Sequence, residues 1–343
     1  MSDVNLILYI TGIFIFSIVA TGFIRSYSVH KSIVDIPNER SLHSRPTPRG
    51  GGVPVVLSIL ASIALLYYLQ LLPLDITIAF GGGGLIVAVT GWLDDCRGIP
   101  EIRKALSYTF AAIWAIYWLD GLETLSFGED LIILSIVGNI FVVLGLTWLI
   151  NLYNFMDGTD AFAAIQAICT GTFSGFLFES MGRQDMAVLC FVIATSSAGF
   201  LWWNWPTAKI FMGDVGSCFI GYSFGVLAII GEQSGILPVI VMYILLSIFI
   251  CDASLTLFLR MLKKEKWYRA HRSHAYQILV QMGVSQKILA IGLLLINVII
   301  LWPLAYIALH WEHLSLFMVY ITAISLFILW ASIKYYFIRN YAH

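Results

Sequence analysis

Apolar residues along this chain come in long unbroken blocks, not on one face of an amphipathic repeat, and the blocks are separated by short polar stretches. The blocks lie near 5–24, 52–72, 76–92, 104–119, 131–150, 161–181, 186–203, 216–231, 236–259, 287–309 and 314–333. A helix of about 20 apolar residues crosses the hydrocarbon core of a bilayer while satisfying its own backbone polar groups. The pattern therefore predicts an all-α polytopic transmembrane bundle of about eleven helices, of which the fourth and eighth are the shortest. The polar stretches alternate in character. One set is short and acidic, around Asp75, Asp120 to Asp130, Glu232 and His310 to His313, and reads as connectors. The other set, near 25–51, 93–104, 151–160, 204–216 and 260–286, holds most of the Pro, His and Asn. The 343 residues thus form one membrane domain with one elaborated face.

Charge gives that bundle a direction. Of 19 Lys and Arg, all but Arg183 fall in the second set of loops or in the C-terminal tail. By the positive-inside rule this face is cytoplasmic, the N-terminus is outside and the C-terminus inside. The first block follows Met1-Ser2-Asp3-Val4 with no basic n-region, so it is expected to stay as a helix and not to be cleaved as a signal peptide. At 59% hydrophobic, 11% charged and a mean hydropathy of +0.88, the composition excludes an ordinary soluble domain. The five cysteines show no CxxC spacing and imply neither a disulfide framework nor a zinc site. The Gly81 to Gly84 run lies inside a block and suits close helix packing more than phosphate binding.

The elaborated loops carry the candidate chemistry. The first, Asp35-Ile36-Pro37 through Ser44-Arg45-Pro46-Thr47-Pro48-Arg49-Gly50-Gly51-Gly52, is too rich in Pro and Gly for a helix. Its Arg side chains and glycine amides suit an anionic group such as phosphate; a loop that only sets topology and touches anionic lipid would look similar. The third block ends in Asp94-Asp95, adjacent carboxylates at a membrane boundary, which persist where a cation or a proton transfer uses them. Next come Asn151, Asn154, Asp157 and Asp160 at one boundary with no basic residue among them. Capping of the following helix accounts for Asp160; a cationic or hydrogen-bonding ligand accounts for the crowding. Asp214, between Gly213 and Gly216 at the mouth of a block, is either a cap or a carboxylate of the kind Mg²⁺ takes with water and phosphate. The last loop is the most basic, and its His271 and His274, flanking Arg272, suit a diphosphate clamp. Asp252, inside the ninth block, is an intramembrane acid and so a functional candidate.

Taken in order, Pro46-Thr47-Pro48-Arg49-Gly50-Gly51-Gly52, Leu93-Asp94-Asp95, Asn154-Phe155-Met156-Asp157-Gly158-Thr159-Asp160, Phe211-Met212-Gly213-Asp214-Val215-Gly216-Ser217 and the basic His loop cover nearly the whole chain. They resemble the polyprenyl-phosphate N-acetylhexosamine-1-phosphate transferases, the membrane family that also contains phospho-N-acetylmuramoyl-pentapeptide translocase. The resemblance implies a ten- or eleven-helix bundle with a cytoplasmic cleft in a bacterial inner membrane. It implies Mg²⁺, with Mn²⁺ as a substitute, and transfer of a sugar 1-phosphate from a UDP-N-acetylhexosamine to undecaprenyl phosphate with release of UMP. By matching positions, Asp214 and Asp157 are the expected metal ligands. Asp94, Asp95, Asp157, Asp160, His271 and His274 are the expected catalytic set. Arg45, Thr47, Arg49, Asn154, Phe211 and Arg272 are the expected substrate contacts, Phe211 by stacking on uracil. Membrane lipid and a second copy in a homodimer are the other expected partners, and nucleic acid is not one.

Two positions depart from the family pattern. Ala161 stands where the family often has Gly, and His-Arg-Ser-His replaces three consecutive histidines. The second departure points away from the peptidoglycan precursor and towards a simpler UDP-N-acetylhexosamine, GlcNAc, GalNAc or a 6-deoxy analogue, used to start O-antigen or a related surface glycan. A secondary transporter is the alternative from another class, but its site would lie near the bilayer midplane in broken helices. A CDP-alcohol phosphotransferase would show its aspartates spaced along one compact helix, and this chain does not.

Overall fold

A computed structural model describes residues 3–37, 41–266 and 271–341. Two cations of the elaborated loops, Arg40 and Arg269, lie outside the described residues. The chain is an all-α membrane bundle. Its helices are α1 (Asp3–His30), α2 (Val53–Tyr68), α3 (Leu74–Thr77), α4 (Gly83–Arg97), α5 (Glu101–Trp118), α6 (Ile136–Phe155), α7 (Phe162–Ser180), α8 (Gln184–Asn204), α9 (Asp214–Gln233), α10 (Val239–Leu262), α11 (Ala275–Gln281), α12 (Gln286–Ile296), α13 (Trp302–His310) and α14 (Glu312–Tyr341). A π turn at Ile78–Gly82 joins α3 to α4, and another at Asn297–Leu301 joins α12 to α13, so each pair is one rod. Among the described residues nine rods are long and apolar enough to cross a membrane. Two further helices at predicted spans fall short of that test: α2 has 16 residues, and α5 begins with Glu101, Arg103 and Lys104.

Helix α9 is the hub, with 94% of its apolar window buried inside the protein. It packs on α4, α6, α2 and α10. Close approach explains this: at Gly52 and Gly216 the backbones of the α2 entry and α9 touch, and a Cβ on either would overlap the other. The Gly81 to Gly84 run behaves similarly, with Tyr222 and Phe219 of α9 against Gly83 and Gly84. At the other extreme, α14 has only 11% of its window buried and presents Phe317, Ile321, Ile324 and Ile328 outward, the composition a lipid-facing helix needs.

Local differences from the sequence-based expectation are small and have causes. Leu131 to Ile133, expected at the start of the fifth span, instead form strand β4 (Asp130–Ile133), paired antiparallel with β3 (Thr124–Phe127). The buried Glu232 accepts the Ser126 N–H at 2.5 Å and the Val239 N–H at 2.6 Å and so fastens this hairpin to the bundle. Helix α6, at the fifth predicted span, runs on to Phe155, which places Asn151 and Asn154 on its last turns and not in a loop. The first elaborated loop holds a short antiparallel pair, β1 (Val34–Asp35) with β2 (Thr47–Pro48). Residues from all five elaborated loops line one cavity, so these loops gather at one end of the bundle.

Candidate active site

A sharp turn through Gly98, Ile99 and Pro100 folds α5 back against α4. Asp94 stabilises the turn by accepting the Ile99 N–H at 2.6 Å. The fold-back places Lys104, on the first turn of α5, over the same carboxylate. Its ammonium lies 3.0 Å from Asp94 Oδ2, 3.2 Å from Asp214 Oδ2 and 3.4 Å from Glu101 Oε2. On the opposite side of Asp214, Asn154 Nδ2 donates to Oδ1 at 2.9 Å and to Ser217 Oγ at 2.9 Å. Asp214 is therefore held by charge from α5 and by an amide from α6 at the start of the hub helix.

Asp95 faces the other way. Its two oxygens accept the Asp214 and Val215 N–H groups, each at 3.1 Å, which caps the N-terminus of α9 from outside the helix. Gly213 permits this: its φ is +77°, and a Cβ would stand on the Asp95 carboxylate. Of the two readings of Asp214, the cap is thus excluded, because its carboxylate is turned to Lys104 and Asn154.

Around this cluster is a cavity of about 420 Å³, walled by Arg49, Asp94, Lys104, Asn154, Asp157, Asp160, Phe211, Asp214, His271 and His274 together with His43, Gln277 and Gln286. Nine of the predicted residues thus meet in one place. Asp157 projects from the loop between α6 and α7, and burial, then the charges of Asp214 and Asp95, push its pKa well above the ordinary carboxylate value. Asp160 does not cap α7, as its position before that helix suggested. It accepts the Ala208 N–H at 2.8 Å, and its own N–H donates to Gln286 Oε1 at 2.9 Å, tying three loops together. Burial raises its pKa as well. The N-cap of α7 is Ala161, at φ +68°, whose N–H donates to Asn204 Oδ1 at 2.7 Å.

Arg49 pairs with Asp35 at 2.7 Å across the β1–β2 pair. Phe211 is joined to the same loop by backbone bonds to Pro48 and Gly51, and its ring meets His43 edge-on at 5.0 Å. The His271 and His274 rings lie 4.8 Å apart. Burial, then His274 and Arg260, push His271 down to about 3, so it is a neutral imidazole at neutral pH. Asp252 explains how this pair is placed: it accepts the Ala275 and Tyr276 N–H groups at 2.8 and 3.2 Å and the Thr256 hydroxyl at 3.0 Å, fixing the start of α11 directly after His274. The intramembrane acid holds α11 in place and does not line the catalytic cavity.

Four predicted residues stand apart from the cavity walls. Asp95 lies behind Asp214, Arg45 and Arg272 are exposed, and Thr47 is buried with its hydroxyl donating to the Arg45 carbonyl. The residue that the motif reading passed over is Lys104. Its signal was available in the Gly-x-Pro turn that follows Asp94-Asp95 and returns the next basic residues to the acids, but charge placement alone assigned it to topology.

A model of glycosyl transferase family 4 matches residues 77–232, which hold Asp94, Lys104, Asn154, Asp157, Asp160, Phe211 and Asp214. The chain is 27% identical over 314 residues to the probable undecaprenyl-phosphate N-acetylglucosaminyl 1-phosphate transferase of Bacillus subtilis, covering 90% of this chain and 86% of that protein. It is 32% identical over 229 residues to the decaprenyl-phosphate N-acetylglucosaminephosphotransferase of Mycolicibacterium smegmatis, covering 60% of this chain and 55% of the relative. It is 30% identical over 271 residues to the phospho-N-acetylmuramoyl-pentapeptide-transferase of Pelagibacter ubique, covering 67% of this chain and 73% of the relative. The chain belongs to glycosyl transferase family 4.

Proposed function

We propose that this protein transfers an N-acetylhexosamine 1-phosphate from a UDP-sugar to undecaprenyl phosphate, releasing UMP, at the cytoplasmic face of a bacterial inner membrane. The observation that carries this reading is the Lys104 ammonium set between Asp94 and Asp214 at 3.0 and 3.2 Å, on the wall of a cavity large enough for a nucleotide sugar. The names of the relatives supply the substrate class: polyprenyl phosphates as acceptors and N-acetylated amino sugars as the transferred group.

Mg²⁺ suits the residues present. Among the described residues no group of three or more His, Cys, Asp or Glu forms a dedicated cage, and Mg²⁺ is usually held by one or two carboxylates with water and substrate phosphate completing its shell. Asp214 and Asp157 would hold it, and Lys104 marks where positive charge already sits against Asp214. When bound, the ion neutralises the diphosphate and the leaving UMP.

The chain's own residues do the rest. Phe211 offers a ring face to the uracil, and Arg49, the neutral His271 imidazole and His274 orient diphosphate oxygens by hydrogen bonds. Asp94 keeps Lys104 aimed into the cavity, where its ammonium draws the acceptor phosphate towards the donor. Catalysis is then positioning and charge neutralisation, with no covalent nucleophile required. The sugar is expected to be GlcNAc, GalNAc or a 6-deoxy analogue for an O-antigen or related surface glycan.

The test is UMP release by the full chain in membranes given undecaprenyl phosphate and a panel of UDP-N-acetylhexosamines. UMP formed only with both lipid and metal, and lost in Asp214→Ala, supports the reading. Absence of UMP with every sugar, together with absence of UDP-sugar binding, would overturn it.

A further inference from the structure

A second cavity lies behind the His loop, separated from the first by α11. It has a volume of about 250 Å³ between α10, α12 and α14, and its walls are almost wholly apolar, among them Ile248, Tyr276, Gly292, Leu293, Leu329 and Trp330. It opens sideways, since the wall residues Ile288 and Leu329 are 63% and 50% exposed. In a membrane-spanning bundle that opening faces hydrocarbon, and an unfilled apolar slot forfeits dispersion contacts on every wall, so a hydrocarbon chain is its natural content.

The mouth of the slot specifies what is attached to that chain. Lys334 is not itself a wall residue but stands one helical turn beyond the wall residue Trp330, and it is buried at 9% exposure. Its ammonium donates to the Ser273 carbonyl and lies 5.3 Å from the centre of the Trp330 ring. Among the described residues it has no ion pair. The acids nearby are engaged elsewhere: Glu265 pairs with Arg260 at 2.7 Å, and the Asp252 oxygens accept from Ala275, Tyr276 and Thr256. Asp252, itself a wall residue of the slot, acts on Lys334 from within electrostatic reach, as do Lys263, Arg260 and Glu265, and Lys287 begins the next rod one residue before Ile288. A buried ammonium held by a carbonyl and a ring face, with no carboxylate bonded to it among the described residues, has donors to spare, and a phosphate would take them.

We infer that this slot binds an anionic membrane phospholipid, with one acyl chain between α10, α12 and α14 and its phosphate on Lys334. The lipid would brace the catalytic end of the bundle through Tyr276. That side chain is a wall of the slot, and its hydroxyl donates to the Phe155 carbonyl at 2.9 Å and accepts the Gly158 N–H at 3.2 Å, in the segment that carries Asp157. The polyprenyl acceptor is a poorer match, because α11 and Asp252 stand between this phosphate position and the Lys104–Asp214 cluster.

The test reads bound lipid and is independent of whether the chain is a transferase. The full-length protein is taken from phosphatidylglycerol or phosphatidylcholine nanodiscs into mild detergent, and retained lipid is counted by native mass spectrometry. Wild type should keep one phosphatidylglycerol in preference to phosphatidylcholine. Lys334→Gln should weaken that retention about tenfold or more, the usual worth of a charge-assisted hydrogen bond. Gly292→Phe should abolish it, since nothing lies within 4 Å of where its Cβ would stand and the ring would fill the slot. Leu295→Phe, on an exposed part of the same helix, should change nothing. Equal retention of the two lipids by wild type, or undiminished phosphatidylglycerol in both slot variants, would overturn the inference. So would one-for-one displacement by undecaprenyl phosphate, which would assign the slot to the acceptor.

Discussion

The carboxylate of Asp95 receives the backbone N–H of Asp214 at 3.1 Å, while the Asp214 carboxylate itself is turned to Lys104 and Asn154. Two aspartates that read alike in sequence therefore do different work, one building the helix terminus and the other facing the cavity. Removing Asp95 leaves two buried N–H groups without partners, at about 1–3 kcal/mol each. Asp95→Ala is expected to lower the detergent-solubilised Tm, whereas Asp214→Asn keeps the Tm near wild type and loses activity. Thermal unfolding followed beside UMP release distinguishes them, and equal Tm loss in both variants would refute the division.

Lys104 balances Asp94 and Asp214 together. Lys104→Met is expected to lower kcat by about 10²–10³, the usual effect of deleting one preorganised electrostatic contact in a closed site. Lys104→Arg should recover only part of that, because a planar fork does not reproduce a point charge between two carboxylates. Steady-state kinetics with saturating UDP-sugar measures both; an unchanged kcat in Lys104→Met would remove this residue from the mechanism.

Ala161 occupies the left-handed region at φ +68° with its N–H bound to Asn204. That conformation costs an L-residue about 1–2 kcal/mol and glycine little. Ala161→Gly is expected to stabilise the protein, read as a rise in Tm with unchanged KM. A fall in Tm would show that the buried methyl group contributes more than the strain it imposes.

His271 has its pKa lowered to about 3 from an ordinary 6.5. The unfolded chain thus binds a proton that the folded one resists, so this group's contribution to stability is intact above pH 6.5 and is progressively lost as pH falls towards 3. Unfolding measured across that window should be less acid-sensitive in His271→Asn than in wild type.

Chelation by EDTA is expected to abolish UMP formation, and Mg²⁺, or less effectively Mn²⁺, to restore it. Chelator-resistant turnover would refute metal assistance by Asp214 and Asp157.

The membrane class, the positions of most helices and the residues worth testing were legible in the chain itself. Block length is set by bilayer thickness, and loop charge by topology, both of which are local properties. Asn154, Asp157, Asp160, Phe211 and Asp214 were found because each stands at a block boundary on the same face. What remained hidden depends on contacts between different elements: Asp95 capping α9 and Lys104 reaching Asp214, each across more than a hundred residues, and Asp252 anchoring α11 from 23 residues away. A carboxylate's role follows from the donors around it, and in this bundle those donors belong to other helices. Only packing around the buried hub, α9, decided which acid would face the cavity and which would hold the backbone in place.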